Sequence, residues 1–193
     1  MGEHELIIEC KNYNPAAQRI IYKKYYPIFF NVCNRFIFDQ DDRKDVLQDA
    51  FLKIFSNISK FRSDGSFEGW MKRIVINDAL TYLKKKNKQN IKSFSELNEF
   101  DQNEINTMDE IEEDDENGKY NFTEDELLNA IKSIPENLRI VFNLACIEGY
   151  SHKEIASFLT ISEENSRIRL MTARKKIKNE LYSKITILKS SSI

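Results

Sequence analysis

The sequence holds only three prolines and five glycines in 193 residues, a scarcity of chain breakers that argues against a β-sandwich and against a Pro/Gly-rich disordered chain. Its three cysteines, Cys10, Cys33 and Cys146, are odd in number and far apart, no C-x-x-C pair occurs, and the only histidines are His4 and His152. A disulfide framework and a zinc site are both disfavoured, and no metal or other cofactor is expected. No run reaches the roughly 18 apolar residues that a membrane-spanning helix needs. The segment Met1 to Asn14 carries Glu3, Glu5 and Glu9 and no cleavable signal pattern, so the expectation is a cytoplasmic protein without membrane insertion. Also missing are a phosphate-cradling glycine loop, a nucleophile motif and H-E-x-x-H. No catalytic residue is assigned and no enzyme is expected.

What remains is 41% hydrophobic and 31% charged, the composition of a helix-leaning globular chain. The formal charge of -2 conceals a strong asymmetry. Lys and Arg outnumber Asp and Glu by 17 to 11 up to Lys92, fall to 1 against 14 over residues 93–126, and lead again by 11 to 6 thereafter. Two basic lobes on an acidic tether could each meet a polyanion.

Helical punctuation supports that division. Asn14-Pro15 supplies an N-cap oxygen and a first-turn proline, and Ile20, Ile21, Tyr25, Ile28, Phe29, Val32 and Phe36 follow at helical spacing. Pro27 is expected to kink this segment or divide it into two collinear helices. Asp39 to Asp42 forms a capping turn before Val46, Leu47, Ala50, Phe51, Ile54, Phe55 and Ile58. Phe61 to Ser66 reads as a loop, and Ser66 caps a helix through Phe67, Trp70, Met71, Ile74, Val75, Leu80 and Leu83 that ends in Lys84 to Lys88. From about Ser93 the periodicity fades, and Asp109 to Glu116 is nearly all acidic, so residues 93–122 are read as a flexible linker without a metal site. Thr123 to Glu126 is a capping box, Ile134-Pro135-Glu136 restarts a helix, and Gly149 stops it. A second capping box, Ser151 to Glu154, opens a short helix, and Ser162 caps a last one running to about Leu181. The fold expected is all-α, with helical domains at 1–92 and 123–193, the second a helix-turn-helix.

In that last helix Ser166, Leu170, Ala173, Ile177 and Leu181 share one face, which leaves Arg167, Arg169, Met171, Thr172, Arg174, Lys175 and Lys178 on the other sides. Arginine can bond a guanine edge in the major groove while lysine neutralises phosphate, so the helix carries both reading and positioning chemistry. An ordinary solvated face is the competing reading. In the first domain Phe61, Phe67, Trp70 and Tyr82 interleave with Arg62, Lys72, Arg73 and Lys84 to Lys86, a mixture that stacks and tracks single-stranded bases, and Asn77 can read a base edge. Phe67 and Trp70 also lie on the apolar stripe, where such residues are more often core, so the exposed basic tail is the better DNA candidate. These features alone would also permit a helix-turn-helix repressor or an adaptor protein.

Several stretches decide between them: Ile21 to Pro27, Asp41 to Phe55, Phe61 to Phe67, Trp70 to Ile74 and Asn77 to Leu80. Together they resemble the first domain of the extracytoplasmic-function sigma factors of RNA polymerase, and Ile134-Pro135, Gly149 to Ser151, Glu154 to Ala156 and Arg167 to Arg174 resemble their second. The resemblance implies a promoter-specificity subunit of core RNA polymerase. Asp45, Gln48, Asp49, Phe51, Lys53 and Phe55 would dock on the clamp helices of the largest subunit, and the second domain would meet the flap of the second-largest. Arg62, Ser63, Asp64, Gly65 and Ser66 would capture a flipped base of the -10 element, with Asn77, Lys84, Lys85 and Lys86 beside the melting duplex. Ser162, Asn165, Arg167, Arg169, Met171, Thr172, Arg174 and Lys175 would meet the -35 element. The family also implies sequestration by an anti-sigma partner. Thr160 stands where a turn glycine is common and Ser166 where a buried valine often sits.

Overall fold

The computed structural model describes residues 2–89 and 122–190, with side chains for 2–86 and 122–183. The chain divides into two compact units, Met1–Ile91 and Lys92–Ile193, and the regular elements among the described residues are all helical. The acidic segment expected as a linker at 93–122 lies outside the described residues except for Phe122.

Unit 1 contains α1 (Glu3–Lys11), α2 (Pro15–Asn34), α3 (Gln40–Asn57), a 3-10 turn (Ile58–Lys60) and α4 (Phe67–Gln89). The Asn14 side chain accepts a hydrogen bond from the Ala16 amide at 2.9 Å and donates to Glu9 at 2.8 Å, so one residue both caps α2 and secures the end of α1. Asp39 caps α3 by accepting from the Asp41 and Asp42 amides, each at 2.9 Å. Ser66 accepts from the Gly69 amide at 3.2 Å at the start of α4.

The expected break at Pro27 does not occur, and α2 runs through it as one helix. Ile21 and Tyr25 before the proline and Phe29, Val32 and Cys33 after it form one buried stripe, while Pro27 and Lys23 are exposed. Packing therefore keeps both halves in one continuous helix, and the Lys23 carbonyl that loses its helical partner can be hydrated. The sequence reading also passed over α1, which buries Leu6, Ile7 and Cys10. Tyr25 donates its hydroxyl to Glu3 at 2.7 Å, and Lys11 donates to the Phe61 carbonyl at 3.0 Å, fastening α1 at both ends.

Unit 2 contains α5 (Glu124–Ser133), α6 (Glu136–Phe142) continuing into a π-helical turn (Asn143–Ile147), α7 (His152–Leu159) and α8 (Glu163–Ser190). Both expected capping boxes form: Thr123 accepts from the Glu126 amide at 3.3 Å while Glu126 accepts from the Thr123 amide at 2.8 Å, and Ser151 with Glu154 repeats this at 3.3 and 3.0 Å. Gly149 takes φ +73°, and the Tyr150 amide turns back to the Leu144 carbonyl at 2.9 Å, closing the π turn. Ala130, Ile131, Ile134 and Leu138 pack with Ala173, Ile177 and Leu181 of α8, and Phe122 and Phe142 close over this cluster. Arg139 is buried beneath the end of α5 and donates to the Lys132 and Ile134 carbonyls, both at 3.2 Å. Its charge satisfies the terminal carbonyls of a helix that has no glycine stop.

The turn between α7 and α8 pivots on Thr160, which holds the left-handed conformation at φ 59°, ψ 47°. A β-branched residue there is strained by about 1 kcal/mol, partly offset because glycine loses more freedom on folding. Thr160→Gly should therefore stabilise unit 2 by about 0.5 kcal/mol. Trp70 reports only unit 1, so amide hydrogen exchange of peptides from 151–181 is the measurement: slower exchange is expected, and faster exchange would mean that the threonine side chain holds the turn.

Candidate nucleic-acid interface

α3 presents Asp45, Gln48, Asp49 and Lys53 to solvent. Phe51 does not belong to that face. It is 2% exposed, with its ring centroid 4.7 Å from Tyr22, 6.1 Å from Phe29 and 6.0 Å from Phe55, because it continues the stripe of Leu47 and Ile54 into the core. Phe55 is half-buried at the margin. The outward apolar side chain is instead Leu52, 63% exposed and one helical turn from Gln48 and Asp49. The sequence reading missed it, although an apolar residue on the polar side of an amphipathic helix was there to be seen. Lys53 is tied to Asp78 of α4 at 2.6 Å, so the α3 face and the helix bearing Asn77 are joined by an ion pair.

The loop after the 3-10 turn gathers its residues as expected. Arg62, Ser63, Asp64, Gly65 and Ser66 are all exposed, and Ser63 takes φ +62°, a left-handed step that bends the loop outward. With Lys60, Phe61, Gly69, Trp70 and Arg73 this loop lines an open cavity of about 440 Å³. Phe61 and Phe67 are buried, while Trp70 is half-buried with centroids 5.5 Å from Phe61 and 5.9 Å from Phe67. The two readings of the aromatics thus divide between them: Phe67 is core, and Trp70 gives the cavity an aromatic wall flanked by arginines. Such a wall can stack a planar base extruded from its strand.

Further along α4, Asn77 is exposed, and Lys84, Lys85 and Lys86 follow two turns on, Lys84 half-buried and Lys85 and Lys86 exposed. Lys86 reaches Asp42 at 2.9 Å and lies 5.4 Å from the Tyr82 ring centroid. A hydrogen bond from the Tyr82 hydroxyl, and then the Lys86 ammonium, hold the Asp42 carboxyl below the usual carboxylate range, while the bond to Asp42, and then one to Tyr82, push Lys86 up.

On α8, Ser162 caps the helix by accepting from the Asn165 amide at 3.0 Å. Arg167, Met171, Arg174 and Lys175 are exposed, and with Lys178 they fall on one stripe of a 3.6-residue helix. Arg167 pairs with Glu163 at 3.3 Å, and Arg174 points its guanidinium toward the Cys146 sulfur at 3.6 Å. Thr172 is half-buried, and its hydroxyl donates to the Ile168 carbonyl at 3.0 Å. Arg169 departs from the expectation: it is 2% exposed. Three residues before it is Ser166 and four after it is Ala173, both fully buried, so position 169 falls within a stripe wider than its apolar members suggest. Ser166 itself bonds His152 Nδ1 at 2.9 Å, so the residue that departs from the family pattern joins α7 to α8.

Buried thiols add no reactive group: burial pushes Cys33 up to about 12 and Cys10 up to about 11, leaving both protonated. Among the described residues no group of His, Cys, Asp and Glu could hold a metal ion, and no helix is long and apolar enough to cross a membrane.

The family model of sigma-70 region 2 matches residues 21–89, and that of sigma-70 region 4 matches 124–177. The chain belongs to the sigma-70 family, in its extracytoplasmic-function group. It is 26% identical to the ECF RNA polymerase sigma-E factor of Escherichia coli K12, over 94% of this chain and 95% of that one. It is also 26% identical to the RNA polymerase sigma-H factor of Pseudomonas aeruginosa, over 93% of each. Its fold is similar to the sigma factor RpoE of Bartonella quintana, solved with the anti-sigma factor NepR (TM-score 0.53, 14% identity, 85% of this chain and 96% of that one). CnrH, solved with the cytosolic domain of CnrY, is similar at TM-score 0.51 and 18% identity, over 92% of this chain and 96% of that one.

Within this sigma factor the two arginines flanking Ile168 should behave oppositely. Arg169→Met is expected to destabilise unit 2 by about 1–3 kcal/mol, because it removes a buried charged hydrogen-bonding group. Arg167→Met should shift stability by less than about 0.5 kcal/mol. Hydrogen exchange across 163–181 measures both, and equal effects would contradict the inward placement of Arg169.

Proposed function

We propose that this sigma factor is a promoter-specificity subunit that binds core RNA polymerase in the cytoplasm, directs initiation of DNA-templated transcription, and needs no cofactor or reaction of its own. The observation that carries the proposal is the stripe of Arg167, Met171, Arg174, Lys175 and Lys178 on the second helix of a helix-turn-helix, in the same chain as an open, aromatic-walled, arginine-rimmed loop cavity. The stripe suits the major groove of duplex DNA, with arginine available to guanine edges and lysine to phosphates. Ser162 and Asn165 would meet the DNA backbone where α8 begins, and the stripe would read the -35 element.

Arg62 to Ser66 would capture a flipped base of the -10 element against Trp70. Unstacking that base costs a few kcal/mol, which stacking and hydrogen bonding in the cavity offset. Asn77 and Lys84 to Lys86 would border the opening strand. Asp45, Gln48, Asp49 and Lys53, with Leu52 added and Phe55 at the margin, would dock on the clamp helices of the polymerase's largest subunit, and unit 2 would meet the flap of the second-largest. NepR and CnrY in the two solved complexes support extending control by an anti-sigma partner to this chain.

Run-off transcription with core polymerase, on genomic fragments that include the gene's own upstream region, tests the proposal. Start-site-specific transcripts dependent on the protein are expected, and failure to bind core polymerase at all would overturn it. Arg167→Glu and Arg174→Glu should each weaken -35 recognition by about 1 kcal/mol or more and relax specificity at the base contacted, as measured by binding to promoter variants. Asn77→Ala should slow promoter opening more than initial binding.

A further inference from the structure

Lys86 stands at the end of the basic tail of α4, yet its charge is already committed within unit 1. Its ammonium is 2.9 Å from Asp42 Oδ2, and the two side chains are 50% and 30% exposed. Asp42 sits in the first turn of α3 and Lys86 near the end of α4, 44 residues on, so tertiary packing rather than helical neighbourhood brings them together. The Tyr82 hydroxyl also bonds Asp42, and the Tyr82 ring centroid lies 5.4 Å from the ammonium. Asp42 thus offers Lys86 what a backbone phosphate would: a localised anion at hydrogen-bond distance on a surface open to solvent. The aromatic contact and the remaining exposure leave room for a second anion to approach.

We propose that Asp42 is an internal phosphate mimic that holds Lys86 against the protein and must be displaced, in whole or in part, when the strand of the -10 element is bound. The inference rests on the reading of Lys84 to Lys86 as DNA contacts and adds a positioning residue that no motif marks. Its effect is to lower affinity for arbitrary polyanions. A strand gains little from Lys86 alone, because one anion is exchanged for another and no counterion is released. Only a strand already held by the loop cavity and Asn77 is presented to Lys86 long enough to compete. The pair Glu163–Arg167 on α8 has the same chemistry at 3.3 Å, but it is a local i,i+4 contact and screened.

The test uses holoenzyme assembled with saturating sigma factor and a fluorescein-labelled fork-junction DNA built on the promoter defined by run-off transcription, titrated by anisotropy at several salt concentrations. Asp42→Asn should tighten binding about twofold to fivefold, the range of an exposed ion pair. The same change should steepen the logarithmic salt slope by about 0.7, one phosphate contact on a single strand. Tyr82→Phe should move affinity the same way by less, which guards against a folding defect at the start of α3, and Trp70 emission checks that unit 1 is intact. Lys86→Ala should weaken binding, and the double variant should match Lys86→Ala alone. If Lys86→Ala changes nothing, the reading of the tail as a DNA contact fails and the inference with it. If Lys86→Ala weakens binding but Asp42→Asn leaves it unchanged or weaker, that reading stands and the mimic is overturned.

Discussion

Leu170, Ala173, Ile177 and Leu181 of α8 have to leave water, and α5, α6 and α7 are arranged around that need. Each such Leu or Ile contributes about 1.5–3 kcal/mol when fully buried, whereas a helix as charged as α8 gains little from its own hydrogen bonds in water. Burial therefore fixes the helix's rotation about its axis. Once the rotation is set, the 3.6-residue period decides which cations are offered outward, and Arg167, Arg174, Lys175 and Lys178 become a stripe while Arg169 turns inside. The same logic governs α4, where Met71, Val75, Ile76, Ala79, Leu80 and Leu83 are buried and Asn77 and Lys85 are left outside.

Neither unit is large enough to rely on apolar burial alone, and polar contacts complete each junction. Asn14 caps α2 and secures α1, Tyr25 reaches Glu3, Lys53 crosses to Asp78, and Arg139 closes the end of α5. Several of these contacts share residues with the proposed interfaces. Lys53, on the proposed polymerase face, also braces the helix of Asn77, and Lys86, in the proposed DNA tail, also braces α3. Stability and binding draw on the same few charges, so a substitution at either lysine reads out both.

The capping boxes, the asparagine cap before Pro15 and the Gly149 stop were legible because each is a local hydrogen-bonding pattern with a fixed offset. The helix-turn-helix and the outward loop followed from those boundaries. Features set by tertiary packing were not legible. Three buried residues in a nine-residue segment were too weak a pattern to announce α1, and an unbroken stripe of packing overrode the helix-breaking tendency of Pro27. For Phe51 the apolar spacing was right and only the family resemblance set it on the docking face, whereas Arg169 was missed because a helix face read from apolar spacing alone has no sharp edge. Leu52 went unassigned because it is apolar yet falls outside the buried period of α3.

The separation of charge along the chain bears on selectivity as much as on affinity. A protein of formal charge -2 does not bind polyanions through bulk attraction, and its cations must be clustered to act. On the proposed reading each unit offers only a handful of them, so neither contact is strong alone. Joining two modest contacts through one chain makes the second effectively intramolecular once the first has formed. Sites that present both elements at the right separation are then favoured over the many that present one, and weak individual contacts become the condition for discrimination.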